Sequence, residues 1–335
     1  MTNPAAAVEV LAVTGALADE LLFRRALEVD AAELVPREHL DALADVGLYG
    51  LSGPTDAGGL GVEGPAAARV VETLAGGCLT TTFVWLQHQG VVRRIGEAAP
   101  GVRDRWLAPM CRGEVRSGVA IAGIRPGADP LRARQAKDRW LLDGTVPWVT
   151  GWGCIDVVHV AARDDDGDVV WLLVDAAPAP SLQAERQRLV ALDASGTVTV
   201  RFTGHEVAGE RLTSRTTYDE WQAADLASLR GNGSLALGVA GRCAGLLEPV
   251  DLATEVDAVR DRLAEAADED VPAVRAAASE LAWRAAGLLL VATGGRAVLR
   301  DQHAQRLGRE AMFLLVFGSR APIKTELLRL LARRS

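Results

Sequence analysis

The stretch SGVAIAGIRPGADPLRARQAKDRWLLDGTVPWVTGW, residues 117–152, decides how this chain is read. It predicts an apolar strand that breaks at Gly123-Ile124-Arg125-Pro126-Gly127, then a tight hairpin ending on Trp148, Val149 and Thr150. Where a strand stops at glycine and proline, its last N–H and C=O groups lose their ladder partners and suit the edge of a flat polar ring. Asp143-Gly144 is a dipeptide that favours a two-residue hairpin turn, and such a turn would bring Trp148 back beside the strand end. Side chains two apart on a strand point the same way, so Trp148 and Thr150 are expected to share a face.

Outward from this stretch the apolar period separates three regions. From 115 to about 212 it is two. Residues 155–161, 169–174, 189–192 and 197–202 read as strands, giving a small β-barrel or sandwich of about seven strands. The acidic run Asp164-Asp165-Asp166 between two of them invites a metal, but consecutive side chains on a turn diverge, and no metal site is assigned.

From residue 4 to about 112 the period is helical, with Pro36 suited to a first helical turn and Gly47 to a helix end. A glycine loop follows, Leu48-Tyr49-Gly50-Leu51-Ser52-Gly53-Pro54 and then Asp56 to Gly61. The next helix, about 78–98, carries Trp85, Gln87, His88 and Gln89, and one around Trp106 closes the region. Beyond 216 helices are expected over 218–247, 256–267, 272–293, 298–317 and 323–333, with Gly294-Gly295 stopping the third. The expected fold is α+β and multidomain. It comprises an N-terminal α-helical domain over 1–114, a middle β-barrel or sandwich domain over 115–212, and a C-terminal four-helix-type bundle over 213–335.

Composition fits that body. With 335 residues, 49% hydrophobic and 24% charged, there is material for several packed layers. A net charge of −8 argues against nucleic acid, whose phosphates call for a basic surface. The N-terminus lacks a charged leader region and has Glu9 inside its apolar run, and residues 285–293 fall far short of the ~20 needed to span a bilayer, so a cytoplasmic location is expected. Cys78, Cys111, Cys154 and Cys243 have no metal-ligand spacing and read as buried free thiols.

Residues 120–130 and 144–150 resemble two segments of the acyl-CoA dehydrogenase family, Ala-Leu-Thr-Glu-Pro-Gly-Ala-Gly-Ser-Asp and Gly-Thr-Lys-x-Trp-Ile-Thr. The glycine loop 47–61 resembles the family's Gly-Leu-x-Gly-Leu-x-x-Pro-x-x-x-Gly-Gly-x-Gly, and the domain order is also the family's. The resemblance implies an FAD-dependent oxidoreductase acting on the CH–CH group of an acyl-CoA. It also implies an electron-transfer acceptor and a homo-oligomer or a homologous partner subunit. Ala122, Gly123, Trp148, Val149 and Thr150 would then hold the flavin ring, with Gly294, Gly295, Ser319 and Arg320 as further cofactor contacts and Arg296 and Arg300 as possible phosphate partners.

The same comparison exposes departures. α,β-Desaturation requires a carboxylate that takes the α-proton while a hydride leaves for the flavin. The family's catalytic Glu falls on Gly318 or Phe317, and its alternative position falls near Ser228, where Asp225 is the acid within a turn. Family Thr and Ser residues are replaced by Ala122 and Ala128, an Arg-x-Gln-Phe-Gly segment is missing between Leu247 and Val256, and the Gln before the Gly-Gly pair is Val291. Asp225 and His88 remain as catalytic candidates, His88 because same-fold enzymes that use oxygen place a His on that helix. Three functions follow from the resemblance: an atypical dehydrogenase, a base-less or FAD-incomplete subunit of a heteromer, and a flavin monooxygenase or oxidase.

Overall fold

The computed structural model describes residues 4–127, 129–227, 229–247, 252–318 and 320–332. The N-terminal helices are α1 (Pro4–Ala16), α2 (Ala26–Ala31), α3 (Arg37–Asp45), α4 (Gly64–Gly77), α5 (Leu79–Gly96) and α6 (Pro100–Cys111). The middle region holds β1 (Ser117–Ala120), β2 (Arg132–Ala136), β3 (Arg139–Val149), β4 (Val157–Arg163), β5 (Val169–Asp175), β6 (Leu182–Arg186), β7 (Val198–Ala208) and β8 (Leu212–Thr216). The C-terminal helices are α7 (Tyr218–Ala227), α8 (Arg230–Leu246), α9 (Ala253–Glu265), α10 (Val271–Thr293), α11 (His303–Val316) and α12 (Ala321–Leu331). The three expected regions appear in the expected order, and no helix among the described residues is long and apolar enough to cross a membrane.

The strands run in the order β6-β7-β3-β2-β4-β5-β8, with β1 parallel to β4 through Ser117↔Val157 to Ala120↔Val160. β2 and β4 touch at the single pair Arg132↔Arg163, the narrowest joint in the eight-stranded sheet. The inward faces of the strands bury Leu142, Val146, Val149, Val160, Val170, Leu172, Val200 and Phe202 in one core.

Several expectations are corrected. Asp143-Gly144 is not the hairpin turn. The turn is Lys137-Asp138, with Lys137 left-handed at φ 57° and Ala136 paired to Arg139, while Asp143 and Gly144 form a bulge inside β3. The Asp143 carboxylate accepts the Gly204 N–H at 2.7 Å, which uses the dipeptide to kink β3 against β7. Residues 189–192 form no strand. Leu192 is left-handed at φ 59°, and the missing edge is supplied by β6. The helix expected over 218–247 is two, α7 and α8, and Gly231 and Gly233 lie within the first turn of the second. The helix expected from 298 begins only at His303, after a 3-10 turn over Gly294–Val298. The acidic turn is not merely solvated, for Asp164 is buried and Arg215 binds Asp164, Asp166 and Asp168 at 2.8, 2.6 and 3.1 Å. The link around Pro249 lies outside the described residues.

The two helical regions share one core. Leu22, Leu74, Leu79 and Trp85 pack with Leu235, Val239, Leu281, Leu307 and Leu314 in a single buried cluster. The α4–α8 crossing depends on glycine, because a Cβ on Gly238 would sit 2.2 Å from the Glu72 carbonyl oxygen. At the hub of the C-terminal bundle lies Arg275 on α10, fully buried. Its guanidinium donates to the Leu314 and Phe317 carbonyls at 3.2 and 3.3 Å and to the Ser279 hydroxyl, capping the negative end of α11. Burial pushes this group down to about 10. An Arg275→Met variant leaves the Phe317 carbonyl without this donor and the Leu314 carbonyl with the Ser279 hydroxyl alone, and is expected to cost about 2–3 kcal/mol, read as a drop of roughly 5 °C or more in the thermal midpoint by circular dichroism.

Candidate functional site

The site is built from α5 outward. Trp85, His88 and Gln89 fall at i, i+3 and i+4, so one face of this helix carries three hydrogen-bonding groups, all buried. Trp85 Nε1 and Gln89 Nε2 both donate to the Leu48 carbonyl at 3.1 Å, which fixes the glycine loop. His88 Nε2 lies 3.0 Å from the Met110 carbonyl of α6, and its Nδ1 receives the Ser117 N–H at 3.1 Å with the Ser117 hydroxyl at 2.9 Å. A carbonyl oxygen can only accept, so Nε2 carries the proton and the ring is neutral. His88 is therefore a joint between α5, α6 and the first residue of β1, and its two nitrogens are already occupied. The catalytic role suggested by its place on the helix would require one of these bonds to be given up.

β1 runs from this joint into the predicted corner. Ala122–Ile124 form a 3-10 turn in which Gly123 and Ile124 are buried and Ala122 is half-buried. The corner rests on β3, where a Cβ on Gly123 would meet Val146 at 2.9 Å and Leu131 at 3.1 Å. Two residues on, the register of β3 shifts between Val146 and Val149, and Trp148 takes a left-handed φ of 65°. The corner thus meets β3 at Thr145 and Val146, two residues before Trp148.

Trp148 does not share a face with Thr150, however. The bulge turns the Trp148 indole outward, 61% exposed, while Thr150 is buried and its hydroxyl pairs with Thr197 at 3.1 Å, which in turn meets Ser195 at 2.9 Å. Val149 is a core residue opposite Val198. A bulky non-glycine residue held left-handed with its ring in the open is a strained arrangement of the kind found at ligand contacts. These residues fit the face of a flat tricyclic ring through Trp148 and the half-buried Ala122. They supply no side-chain donor to its edge, since Thr150 is engaged and Ala122 has none.

The remaining candidates lie elsewhere. Gly294 ends α10 at φ 67°, and both Gly294 and Gly295 face open space. Ser319 lies outside the described residues, as do Ala128 and Ser228. Phe317 packs against Phe83 and Phe313, with centroids 4.7 and 5.3 Å away, and a Cβ on Gly318 would sit 2.8 Å from Asn232 Nδ2. Neither position holds an acid.

Arg320 is not a free phosphate partner. It grips Asp225 with two hydrogen bonds, Nε to Oδ2 at 2.8 Å and an amino group to Oδ1 at 3.1 Å, and Arg125 reaches Oδ1 at 3.3 Å. Burial pushes the Asp225 carboxyl up, while the guanidiniums of Arg125 and Arg94 pull it down. Both of its oxygens are committed to guanidiniums, which is the geometry of an ion pair and not of a poised proton acceptor.

Arg94 and Arg125 were missed from sequence. Arg125 carried a signal, for it precedes Pro126-Gly127 at the place where the resembled segment has Glu before its Pro-Gly. Arg94 carried none beyond being one charge on a helix.

Residues 7–114 match the family model of the acyl-CoA dehydrogenase N-terminal domain. The mitochondrial short-chain specific acyl-CoA dehydrogenase of Homo sapiens is 27% identical over 156 residues, covering 44% of this chain and 37% of that protein. Across such mitochondrial relatives the chain spans at most half of their length. Butyryl-CoA dehydrogenase from Megasphaera elsdenii superposes with a TM-score of 0.84 at 16% identity, over 99% of this chain and 100% of that one. A glutaryl-CoA dehydrogenase from Mycobacterium smegmatis in complex with FADH2 gives 0.81 at 17% identity, over 97% and 94%. At these identities the structural likeness establishes the fold.

Burial pushes His88 down to about 4, helped by Arg116 and opposed by its bond to Met110. An unfolded His titrates near 6.5, so the unfolded chain binds the extra proton first. The contribution is whole above about pH 6.5 and is lost as pH falls toward about 4, amounting to about 3 kcal/mol. A His88→Gln variant is expected to melt lower at pH 7 and to lose less of its thermal midpoint between pH 7 and 4.5 than the parent, measured by circular dichroism melts in matched buffers.

Proposed function

From the match of residues 7–114 to the acyl-CoA dehydrogenase N-terminal domain, we propose that the chain is a member of that family and an FAD-dependent oxidoreductase acting on the CH–CH group of an acyl-CoA. The observation that carries this reading is Trp148, 61% exposed and left-handed two residues past the point where the Ala122–Ile124 corner meets β3, an outlier that a ring laid against the indole would explain. FAD, when bound, supplies the hydride acceptor. Trp148 would cover one face of the ring, and the corner would meet it through its backbone. A separate electron-transfer acceptor would reoxidise it.

Asp225 is assigned here to holding Arg320 and Arg125 in place and not to taking the α-proton, since both oxygens are committed. Substituting Asp225 by Asn therefore loosens the ion pair but leaves any desaturation within about tenfold, whereas loss of a true base costs 10²–10⁴. Steady-state kinetics with an artificial acceptor make the distinction. The first test is spectral. The purified chain should absorb between about 350 and 500 nm as flavoproteins do, and anaerobic acyl-CoA should bleach it. A yellow protein that no acyl-CoA bleaches would remove the dehydrogenase reading.

A second reading, a subunit that works beside a homologous partner, is favoured by one feature. Val291 and Val298, 81% and 82% exposed, flank the open Gly294-Gly295 turn, and Leu299 beside them is 49% exposed. Apolar side chains gathered this way mark a surface that another chain covers. A Val291→Glu, Val298→Glu double variant is expected to sediment as a smaller species than the parent. A chain that is colourless alone and yellow only when co-expressed with a homologue would select the heteromer over the homo-oligomer.

A further inference from the structure

The loop that follows β6 leaves the β region and enters the helices. Ala191, Leu192 and Ala194 are buried in the core that the two helical regions share. Leu192 holds its left-handed φ of 59° there, a conformation that a leucine keeps only where its surroundings over-determine it. Two arginines do so. Arg186, at the end of β6, donates to the Glu33 carbonyl at 2.6 Å and to the Asp193 carbonyl at 3.1 Å. Arg309 on α11 takes the Asp30 carboxylate of α2 with two bonds, one of them at 2.9 Å, and reaches the Val190 carbonyl at 3.0 Å. Gln305, one turn earlier, accepts from the same guanidinium and fixes its plane. A single planar fork thus joins all three regions of the chain.

The far end of the same loop reaches the strand that carries Trp148. The Gly151 and Trp152 amides donate to the Ser195 and Gly196 carbonyls at 2.9 and 3.0 Å, and the Thr150 hydroxyl meets that of Thr197 at 3.1 Å. The fit is tight, for a Cβ on Gly196 would sit 2.5 Å from the Trp152 carbonyl oxygen. The pairing of β3 with β7 ends at Val149↔Val198, so residues 150–152 are tied to 195–197 and not to the ladder. Trp148 is left-handed one residue before that pairing ends, and a strained φ of this kind persists only while both of its flanks are fixed. One flank is β3. The other is the loop that Arg309 holds.

We propose that Arg309 is a positioning residue for the ring contact at Trp148. By holding the loop at Val190 against α2 it sets residues 195–197, and through them the segment that follows the indole. Its influence passes through packed and hydrogen-bonded neighbours, since its own partners are Asp30, Val190 and Gln305. This rests on the flavin reading above and adds to it a residue on the C-terminal bundle.

The test measures FAD affinity and amide exchange side by side on the full chain. FAD is titrated into flavin-free protein and followed by the quenching of its fluorescence, while hydrogen exchange over residues 150–152, read by mass spectrometry, needs no cofactor. Arg309→Met is expected to raise the FAD dissociation constant about three- to tenfold and to speed exchange over 150–152. Arg260→Met is the control, because it cuts a comparable fork, between α9 and Glu72 of α4, away from this loop. Its thermal midpoint should fall while affinity and exchange over 150–152 stay with the parent. If Arg309→Met fails to fold by circular dichroism, Asp30→Asn, which loosens the anchor of the fork, carries the same expectation. Unchanged affinity or unchanged exchange in the Arg309 variant, or an equal loss in the Arg260 variant, overturns the proposal and leaves the flavin reading standing. A parent that takes up no FAD overturns both.

Discussion

The geometry of the site depends on one buried face of α5. Trp85, His88 and Gln89 send their polar atoms into the glycine loop, α6 and the start of β1, so three segments distant in sequence are set by a single rigid helix. Each bond is buried, where a missing partner costs more than the bond itself contributes in water. β1 is only four residues long and could not fix its own direction. Anchored at Ser117 by His88 and paired in parallel with β4, it delivers the corner to the flank of β3.

From there the chemistry follows from two local distortions. The bulge at Asp143–Gly144 bends β3, and the second shift at Val146–Val149 rotates Trp148 out of the alternation. A regular strand would put Trp148 and Thr150 on one side. The observed one separates them, sending the hydroxyl into a buried Thr150–Thr197–Ser195 chain and the indole to the surface. Ring contact and edge hydrogen bonding, if both are made, must come from different parts of the chain.

Much of the architecture was legible because it rests on period. The change from helical to twofold spacing near 115 and back near 216 marks the β region within a few residues, and Gly47 and Gly294 end their helices in the left-handed conformation expected of them. What period cannot reveal is register. Asp143-Gly144 has the composition of a turn but lies within a strand, since Lys137 accepts the strained position six residues earlier than glycine chemistry would choose. The functional candidates were less legible still. His88 has the residue type of a catalyst and the contacts of a joint. Asp225 has the position of a base, but its role is set by Arg320, 95 residues away in sequence, and by Arg125, 100 away. Pairings across such distances leave no local mark, so a residue's type and neighbourhood in sequence suggested roles that its partners in space reassign.

The shared core of the two helical regions has a consequence for how the molecule comes to exist. α4 meets its main partner α8 at Gly238, about 160 residues after Gly76, so on a ribosome adding roughly 5–20 residues each second the first helices wait about 10–30 s for it. During that interval Leu74, Leu22 and Trp85 have no final cover, and the nascent chain exposes them until α8 has been made. The β region, whose core closes on itself, is the one piece able to mature in the meantime. Grafting the first hundred residues onto another protein would therefore transplant half of an interior rather than a module.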